Sequence, residues 1–316
     1  MAEKPDKSLI FDLVRVTEEA AIGAYDWIGR GDKNAGDGGA VDAMRAAFND
    51  VNIDGVVIIG EGEKDEAPAL YNGEKVGNGK GPGMDIAIDP VEGTNLLATG
   101  RPNSIATVSM APKGSMFDPG PAFYMKKLVV GKEARGVVDI DASPTENIKK
   151  IAKALGKDVR EVVIYMLDKP RHKDIIAEIR KLGACIQLHT DGDVMGALMA
   201  VTPGSGVDVM MGTGGTPEGV LAATAIKITG GQILSKLDPQ KDDEKKALKE
   251  AGFDLNRLLT VDDLVTSDDV FFAATGITHG TFLGGVNKTP QGFVTHSLLY
   301  NGVTKDVRFM ETHHTK

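Results

Sequence analysis

Cysteine is almost absent from this chain of 316 residues, where Cys185 stands alone. A single thiol excludes an intramolecular disulfide framework and fits a reducing compartment. Its setting, Ala184-Cys185-Ile186, reads as a small buried hydrophobe rather than a nucleophile. Long apolar runs are missing as well, since nothing approaches the roughly 20 residues of a membrane helix. The opening residues, Met1 to Lys7, are charged and lack the apolar stretch of a secretory signal. Positive charge is in deficit: 36 Lys and Arg face 45 Asp and Glu, a net −9. That balance excludes a broad nucleic-acid or anionic-membrane surface, although a metal-filled pocket can still take phosphate. The six histidines are scattered, no Cys or His pair has zinc-type spacing, and no Ser-His-Asp arrangement is visible. A soluble, cytoplasmic protein with no nucleic-acid or membrane partner is expected.

What is present is a hydrophobic content of 41% with 26% charged residues, enough for a substantial core in one large domain or two intimate ones. Helical spacing of Leu9, Leu13, Val16, Ala20 and Trp27 predicts a helix over residues 8–30, with Gly31 past its end. A polar loop over 31–39, dense in glycine and charge, then leads to a second helix marked by Val41, Met44 and Phe48. Loops longer than packing requires are often functional. Val56 to Ile59 reads as a strand buried on both faces, followed by acids from Glu61. The alternation of Asp85, Ile86, Ala87, Ile88 and Asp89 predicts a strand that Pro90 closes. Strands are expected at 104–110, 125–130 and 136–140, which suggests an antiparallel or mixed sheet.

Beyond residue 141 the rhythm changes to alternating helices and strands, an α/β pattern. Helices are expected at 145–155, 170–182 and 193–199, with strands at 162–166, 184–188 and 207–211. The change suggests two halves, 1–141 and 142–316. A glycine turn, Gly212 to Gly215, would join the last of these strands to a helix opening at Pro217, a plausible phosphate cradle. It lacks the Lys-Ser/Thr ending of a P-loop. A charged helix at 240–251, a strand at 270–274 and a hairpin over 292–310 turning at Asn301-Gly302 complete the chain.

Asp37, Glu61, Asp89, Glu92 and Glu218 each stand in or beside a turn at the end of a regular element. Two carboxylates at a strand end beside a helix N-terminus can hold a divalent metal and an oxyanion together. Hard oxygen donors select Mg²⁺ or Mn²⁺, and two or more such ions are the usual apparatus of phosphate-ester hydrolysis.

Asp89-Pro90-Val91-Glu92-Gly93-Thr94 resembles the D-P-x-[DE]-G-[ST] signature of the lithium-sensitive, metal-dependent phosphatase superfamily. The flanking segments narrow the likeness: Gly29 to Asn34, Ile59 to Pro68, Lys169-Pro170-Arg171-His172, Asp191-Gly192-Asp193 and Gly214 to Gly219 resemble class II fructose-1,6-bisphosphatases. So does Glu92, where inositol monophosphatases carry Asp. The resemblance runs from about Phe11 to the C-terminal hairpin. It implies a layered α/β/α/β/α sandwich with mixed sheets and hydrolysis of fructose 1,6-bisphosphate to fructose 6-phosphate and phosphate. Sedoheptulose 1,7-bisphosphate in addition, an inositol phosphate instead, or a catalytically silent sugar-phosphate sensor are the alternatives. It also implies a homo-oligomer, dimer or tetramer.

Carried over by position, Asp37 and Glu61 correspond to ligands of one ion, and Asp89, Glu92 and Glu218 to those of a second. Glu92, Gly93, Thr94, Tyr124, Lys169, Pro170, Arg171, Asp191, Gly192, Asp193 and Gly215 correspond to substrate contacts, the loop before Tyr124 departing somewhat from the family pattern. Thr94, Lys33 and Glu61 are the expected catalytic residues. Thr94 would orient a water or attack directly, Lys33 would neutralise a phosphate or tune a carboxylate, and Arg171 offers a bidentate fork to the distal phosphate.

Overall fold

The computed structural model describes residues 5–62 and 69–315. Glu63 to Pro68, part of the acidic segment after the first strand, lie outside the described residues. In chain order the elements are α1 (Leu9–Tyr25), α2 (Lys33–Phe48), β1 (Asp54–Ile59), β2 (Lys75–Val76), β3 (Gly83–Glu92), α3 (Thr94–Thr99), β4 (Ile105–Pro112) and β5 (Tyr124–Val130). Next come α4 (Pro144–Leu155), β6 (Val163–Leu167), α5 (Lys173–Leu182), β7 (Cys185–His189), α6 (Asp193–Val201), β8 (Val209–Gly215), α7 (Thr216–Thr229) and β9 (Gln232–Leu237). The last are α8 (Asp242–Glu250), β10 (Leu259–Thr260), α9 (Val261–Leu264), β11 (Phe271–Gly276), β12 (Asn287–Thr289), β13 (Gly292–Asn301) and β14 (Asp306–Thr315). The fold is α/β with two mixed sheets, the class expected for a layered sandwich.

Two compact units divide the chain, one of Met1–Met116 with Ser267–Lys316 and the other of Phe117–Thr266. The change of rhythm near residue 141 falls inside the second unit. In the first unit the sheet runs β12-β13-β11-β4-β3-β1-β2, with β14 on the free side of β13. Among the described residues of this sheet only β1 and β3 pair in parallel. Helix α1 lies on β11, β13, β4 and β3, and α2 packs on α1 and β3. Leu13, Val16, Met44, Phe48, Ile86 and Val108 are among the side chains that fill this core.

The second unit has the sheet order β10-β9-β5-β8-β6-β7, with β6 parallel to β7 and β8 and the other pairs antiparallel. Ile148, Ile151, Ile176 and Ile179 of α4 and α5 pack on Leu128, Val130, Ile164 and Met211. Helices α6 and α7 pack against each other and against β5 and β8. A capping box built by Ser143 and Glu146, with Pro144 in the first turn, fixes where α4 starts.

Several expectations need correction. The first helix ends at Tyr25, not near residue 30. The glycine-dense stretch 33–39 is helical rather than a loop. Asp32 caps α2 by accepting from the Ala35 N–H at 3.0 Å, and the glycines serve packing. A Cβ on Gly23 would overlap the Gly39 carbonyl, and one on Gly39 would stand 2.7 Å from the Gly23 carbonyl oxygen. Close helix approach, not turn geometry, therefore selects them.

Pro90 does not close β3, because the ladder to β4 slips between Asp89 and Glu92 and resumes at Ile105. An irregularity of this kind leaves a residue that need not donate to the ladder, which is where proline is tolerated in a strand. Residues 136–140 form no strand, although Val138 and Ile140 are buried. The glycines at 212, 214 and 215 belong to β8 and not to a turn. Cys185 is exposed on the edge strand β7 rather than buried. The hairpin of β13 and β14 turns through Gly302 to Lys305. There the Asn301 side chain accepts the Val303 and Thr304 N–H groups at 3.0 and 3.2 Å.

Helix α2 supplies a direct check on the packing argument. Gly39→Ala should cost about 1–3 kcal/mol through overpacking against α1. Gly38→Ala, whose Cβ would meet nothing within 4 Å, should be neutral or stabilise by up to about 1 kcal/mol through helix propensity. Thermal or urea unfolding of the two variants measures both.

Candidate active site

In the first unit four acids, in two close pairs, stand at the ends of three elements. Asp37 lies one turn into α2, and Glu61 follows β1 directly. The chain at Glu61 is held by its N–H donating to the Leu70 carbonyl at 2.9 Å and by the Gly60 N–H donating to Asn72 Oδ1 at 2.9 Å. A Cβ at Gly60 would overlap the Leu70 carbonyl, so glycine is required for that approach. The carboxyls of Asp37 and Glu61 share a hydrogen bond. Burial pushes Glu61 up to about 8, with the Asp37 charge adding to it. Asp37 is raised by burial, which its bond to Glu61 partly offsets.

The slipped end of β3 presents Asp89 and Glu92, which have carboxylate oxygens within 4.8 Å of one another. Asp89 Oδ1 accepts the Val91 N–H at 3.1 Å, and the Thr107 hydroxyl donates to the Asp89 carbonyl at 3.3 Å. The Glu92 carbonyl takes the Ser104 hydroxyl at 3.3 Å. Gly93 then sits in the left-handed region at φ +82°, turning the chain so that Thr94 begins α3. Asp85, on the same strand, is buried and accepts the N–H groups of Ser115 at 2.8 Å and Met116 at 3.1 Å. It clamps a loop. Lys33 is exposed at the start of α2.

The second unit places its expected residues along one end of its sheet. Lys169 and Pro170 follow β6. Arg171 donates from Nε and Nη2 to the Thr213 carbonyl at 2.9 and 2.8 Å, and its guanidinium lies 5.1 Å from the centroid of the Tyr124 ring. That contact brings the two expected residues Tyr124 and Arg171 together. His172 is buried, and the Thr213 N–H donates to its Nε2 at 2.8 Å. Nδ1 must then carry the proton that reaches the Leu167 carbonyl at 2.7 Å. It is a structural histidine. Arg171 also lines a cavity of about 330 Å³ with Lys126, Asn147, Thr213, Asp238 and Gln240.

Gly192, at φ +88°, turns β7 into α6 between Asp191 and Asp193. Its carbonyl accepts the Tyr165 hydroxyl at 2.6 Å, and the Tyr165 ring stacks on His189 at 3.9 Å. Asp193 is buried against Lys127. Glu218 stands in the first turn of α7 with Oε2 buried and without a hydrogen-bond partner among the described residues. Burial foremost and the Asp193 charge next push Glu218 up to about 7, against the opposing pull of Lys127. Lys127 and Tyr165 were not anticipated from the sequence. A lysine pair, Lys126-Lys127, inside an apolar strand was the available sign, because strand alternation sends one of the two inward.

Residues 7–314 match the family model described as "Bacterial fructose-1,6-bisphosphatase, glpX-encoded". The chain belongs to this family. It is 41% identical to the fructose-1,6-bisphosphatase 1 class 2 of Escherichia coli K12 over 321 residues, covering 98% of this chain and 95% of that one. The class 2 enzymes of Escherichia coli O6:H1 and Shigella flexneri are similar at the same identity and coverage. As in other class II fructose-1,6-bisphosphatases by name, the chemistry at issue is phosphoric monoester hydrolysis. The donors suit hard divalent cations: they are carboxylates, two pairs of them lie close together, and one buried oxygen is orphaned.

The raised Asp37–Glu61 pair makes a pH prediction whose sign is fixed. The folded chain holds a proton there that the unfolded chain has released, from the ordinary Glu value of 4.5 up to about 8. Stability of chelator-treated protein should therefore fall as pH rises through that window. Saturating divalent metal should flatten the slope, since the ion takes the place of the proton. Melting temperatures with and without metal across the range measure this, and Glu61→Gln should remove the slope without metal.

Proposed function

We propose that the chain hydrolyses the 1-phosphate of D-fructose 1,6-bisphosphate to fructose 6-phosphate and phosphate, as a step of gluconeogenesis, using two or more Mg²⁺ or Mn²⁺ ions. Family membership across residues 7–314 carries the reading. In it Asp37 and Glu61 hold one ion, and Asp89, Glu92 and Glu218 hold a second. The orphaned oxygen of Glu218 and the close carboxylates of each pair support that division. When bound, the ions supply positive charge to the oxygens of the scissile phosphate. The Asp89 to Thr94 segment also supports a place in the lithium-sensitive phosphatase superfamily.

The chain's own residues then bind and orient. Arg171, braced on Thr213 and lying over Tyr124, keeps the rest of its fork for the distal phosphate. Lys169 and Pro170 complete that side, and Asp191, Gly192, Asp193 and Gly215 address the sugar. Glu92, Gly93 and Thr94 meet the phosphate that leaves, where Thr94 orients the attacking water or attacks itself. Lys33, exposed at the start of α2, adds positive charge. Phosphoryl transfer asks for positioning and charge more than covalent participation by protein, which these residue types provide. The same resemblance supports a cytoplasmic homo-oligomer, dimer or tetramer.

A phosphate-release assay tests the reading. With Mn²⁺ or Mg²⁺, fructose 1,6-bisphosphate should turn over faster than inositol monophosphate, with sedoheptulose 1,7-bisphosphate as the third substrate. A chelator should abolish turnover and added metal restore it; faster hydrolysis of inositol monophosphate would overturn the assignment. Glu61→Ala should lose about 10²-fold or more of activity with the fold retained. Thr94→Ala should lower kcat more than it raises KM, whereas a changed KM alone would make Thr94 a binding residue only.

A further inference from the structure

Lys127 is one of the few buried cations of the second unit, at 2% exposure in the central strand β5. A buried ammonium is costly unless acceptors replace its water. Nζ donates to Asp193 Oδ2 and, at 2.6 Å, to the Gly215 carbonyl oxygen. The corridor it occupies is made by glycines. A Cβ on Gly219 would stand 3.2 Å from Lys127 Cδ, and one on Gly214 would stand 3.3 Å from Nζ while overlapping the Asp193 carboxylate. A Cβ on Gly215 would overlap the Glu218 carboxylate. The spacing Gly214-Gly215-Thr216-Pro217-Glu218-Gly219 thus makes room for one buried cation and two acids side by side. The acids are treated unequally, because Asp193 has the ammonium while Glu218 Oε2 has no partner.

We propose that Lys127 is a positioning residue that divides these two acids: it holds Asp193 and the Gly215 carbonyl in place for substrate and leaves Glu218 as the acid open to a metal ion. The proposal rests on the reading of Asp193 as a substrate contact and Glu218 as a metal ligand. Lys127 acts through Asp193 in two ways. It fixes the carboxylate at the start of α6, and it cancels a negative charge that would otherwise face the ion beside Glu218.

The test is a double-mutant cycle of Lys127→Met and Asp193→Asn, read as Mn²⁺ affinity by calorimetry without substrate and as KM for fructose 1,6-bisphosphate at saturating Mn²⁺. Lys127→Met should tighten Mn²⁺ binding, because Asp193 is no longer neutralised, and raise KM about tenfold. Asp193→Asn should weaken Mn²⁺ binding about tenfold, because Lys127 is left uncompensated. The double variant should restore Mn²⁺ affinity to within about twofold of the parent while keeping the KM of Asp193→Asn. Equal Mn²⁺ affinity in the double variant and Asp193→Asn would overturn the proposal, as would weaker Mn²⁺ binding in Lys127→Met. Should Lys127→Met not fold, the comparison of Asp193→Asn with the double variant decides alone. An unchanged KM in Asp193→Asn would instead overturn the substrate reading of Asp193, with the Mn²⁺ arm still judging Lys127. Failure of the unmodified protein to release phosphate would count against the activity and not against the division of the acids.

Discussion

Carboxylates held close together and away from water are the constraint around which the functional parts of both units are built. Desolvation alone raises Glu61 and Glu218 toward neutrality, and a neighbouring acid raises each further. A fold that selected only for stability would replace such groups with apolar side chains, since an unpaired buried charge is a net cost. Their retention makes sense where a multivalent cation converts the same arrangement into a favourable one. Both units meet the constraint differently. In the first, Asp37 and Glu61 share a hydrogen bond, and in the second, Lys127 neutralises one acid of two.

The surrounding architecture holds these groups from the backbone. Asp89 and Glu92 sit where the β3–β4 ladder slips, so two acids three residues apart come within reach of one another. A regular strand would set residues three apart on opposite faces. Proline at position 90 sits at this irregularity, where the strand brings two carboxylates together. Asp85, clamped by two backbone N–H groups, anchors the start of the same strand. Gly60, Gly93 and Gly192 play the matching part at the other turns, each permitting a conformation or an approach that a Cβ would block.

Most of the regular elements were legible in the sequence because hydrophobic periodicity reports burial, and burial is what these helices and strands share. The five acids were legible as a group because each stands in or beside a polar or glycine-rich stretch at the end of a regular element. Glycine was misread twice, at 33–39 and at 212–215, for one physical reason. A sequence shows that a side chain is missing but not whether its absence serves a turn or a close approach. Gly39 is missing a side chain so that α1 can touch α2, and Gly214 so that Asp193 can reach Lys127. Strand β9 escaped notice because Gln232, Ser235 and Lys236 dilute its apolar residues, and Lys127 because lysine ordinarily marks solvent.

The segment from Gly212 to Gly219 shows what that distinction changes. Read as a turn, it would cradle phosphate with its own N–H groups at the start of α7. As the end of β8, Gly212 to Gly215 lie in register with β5, while the Thr213 N–H and carbonyl and the Gly215 carbonyl are taken by His172, Arg171 and Lys127. What the glycines free is volume, which Lys127, Asp193 and Glu218 fill. In the proposed function, anion recognition at this end of the sheet would then fall to side chains, Arg171 foremost, rather than to a backbone nest. Side-chain recognition fits a sugar bisphosphate whose two phosphates need different partners: cations that stabilise charge developing on the one that leaves, and a fixed fork that orients the one that stays.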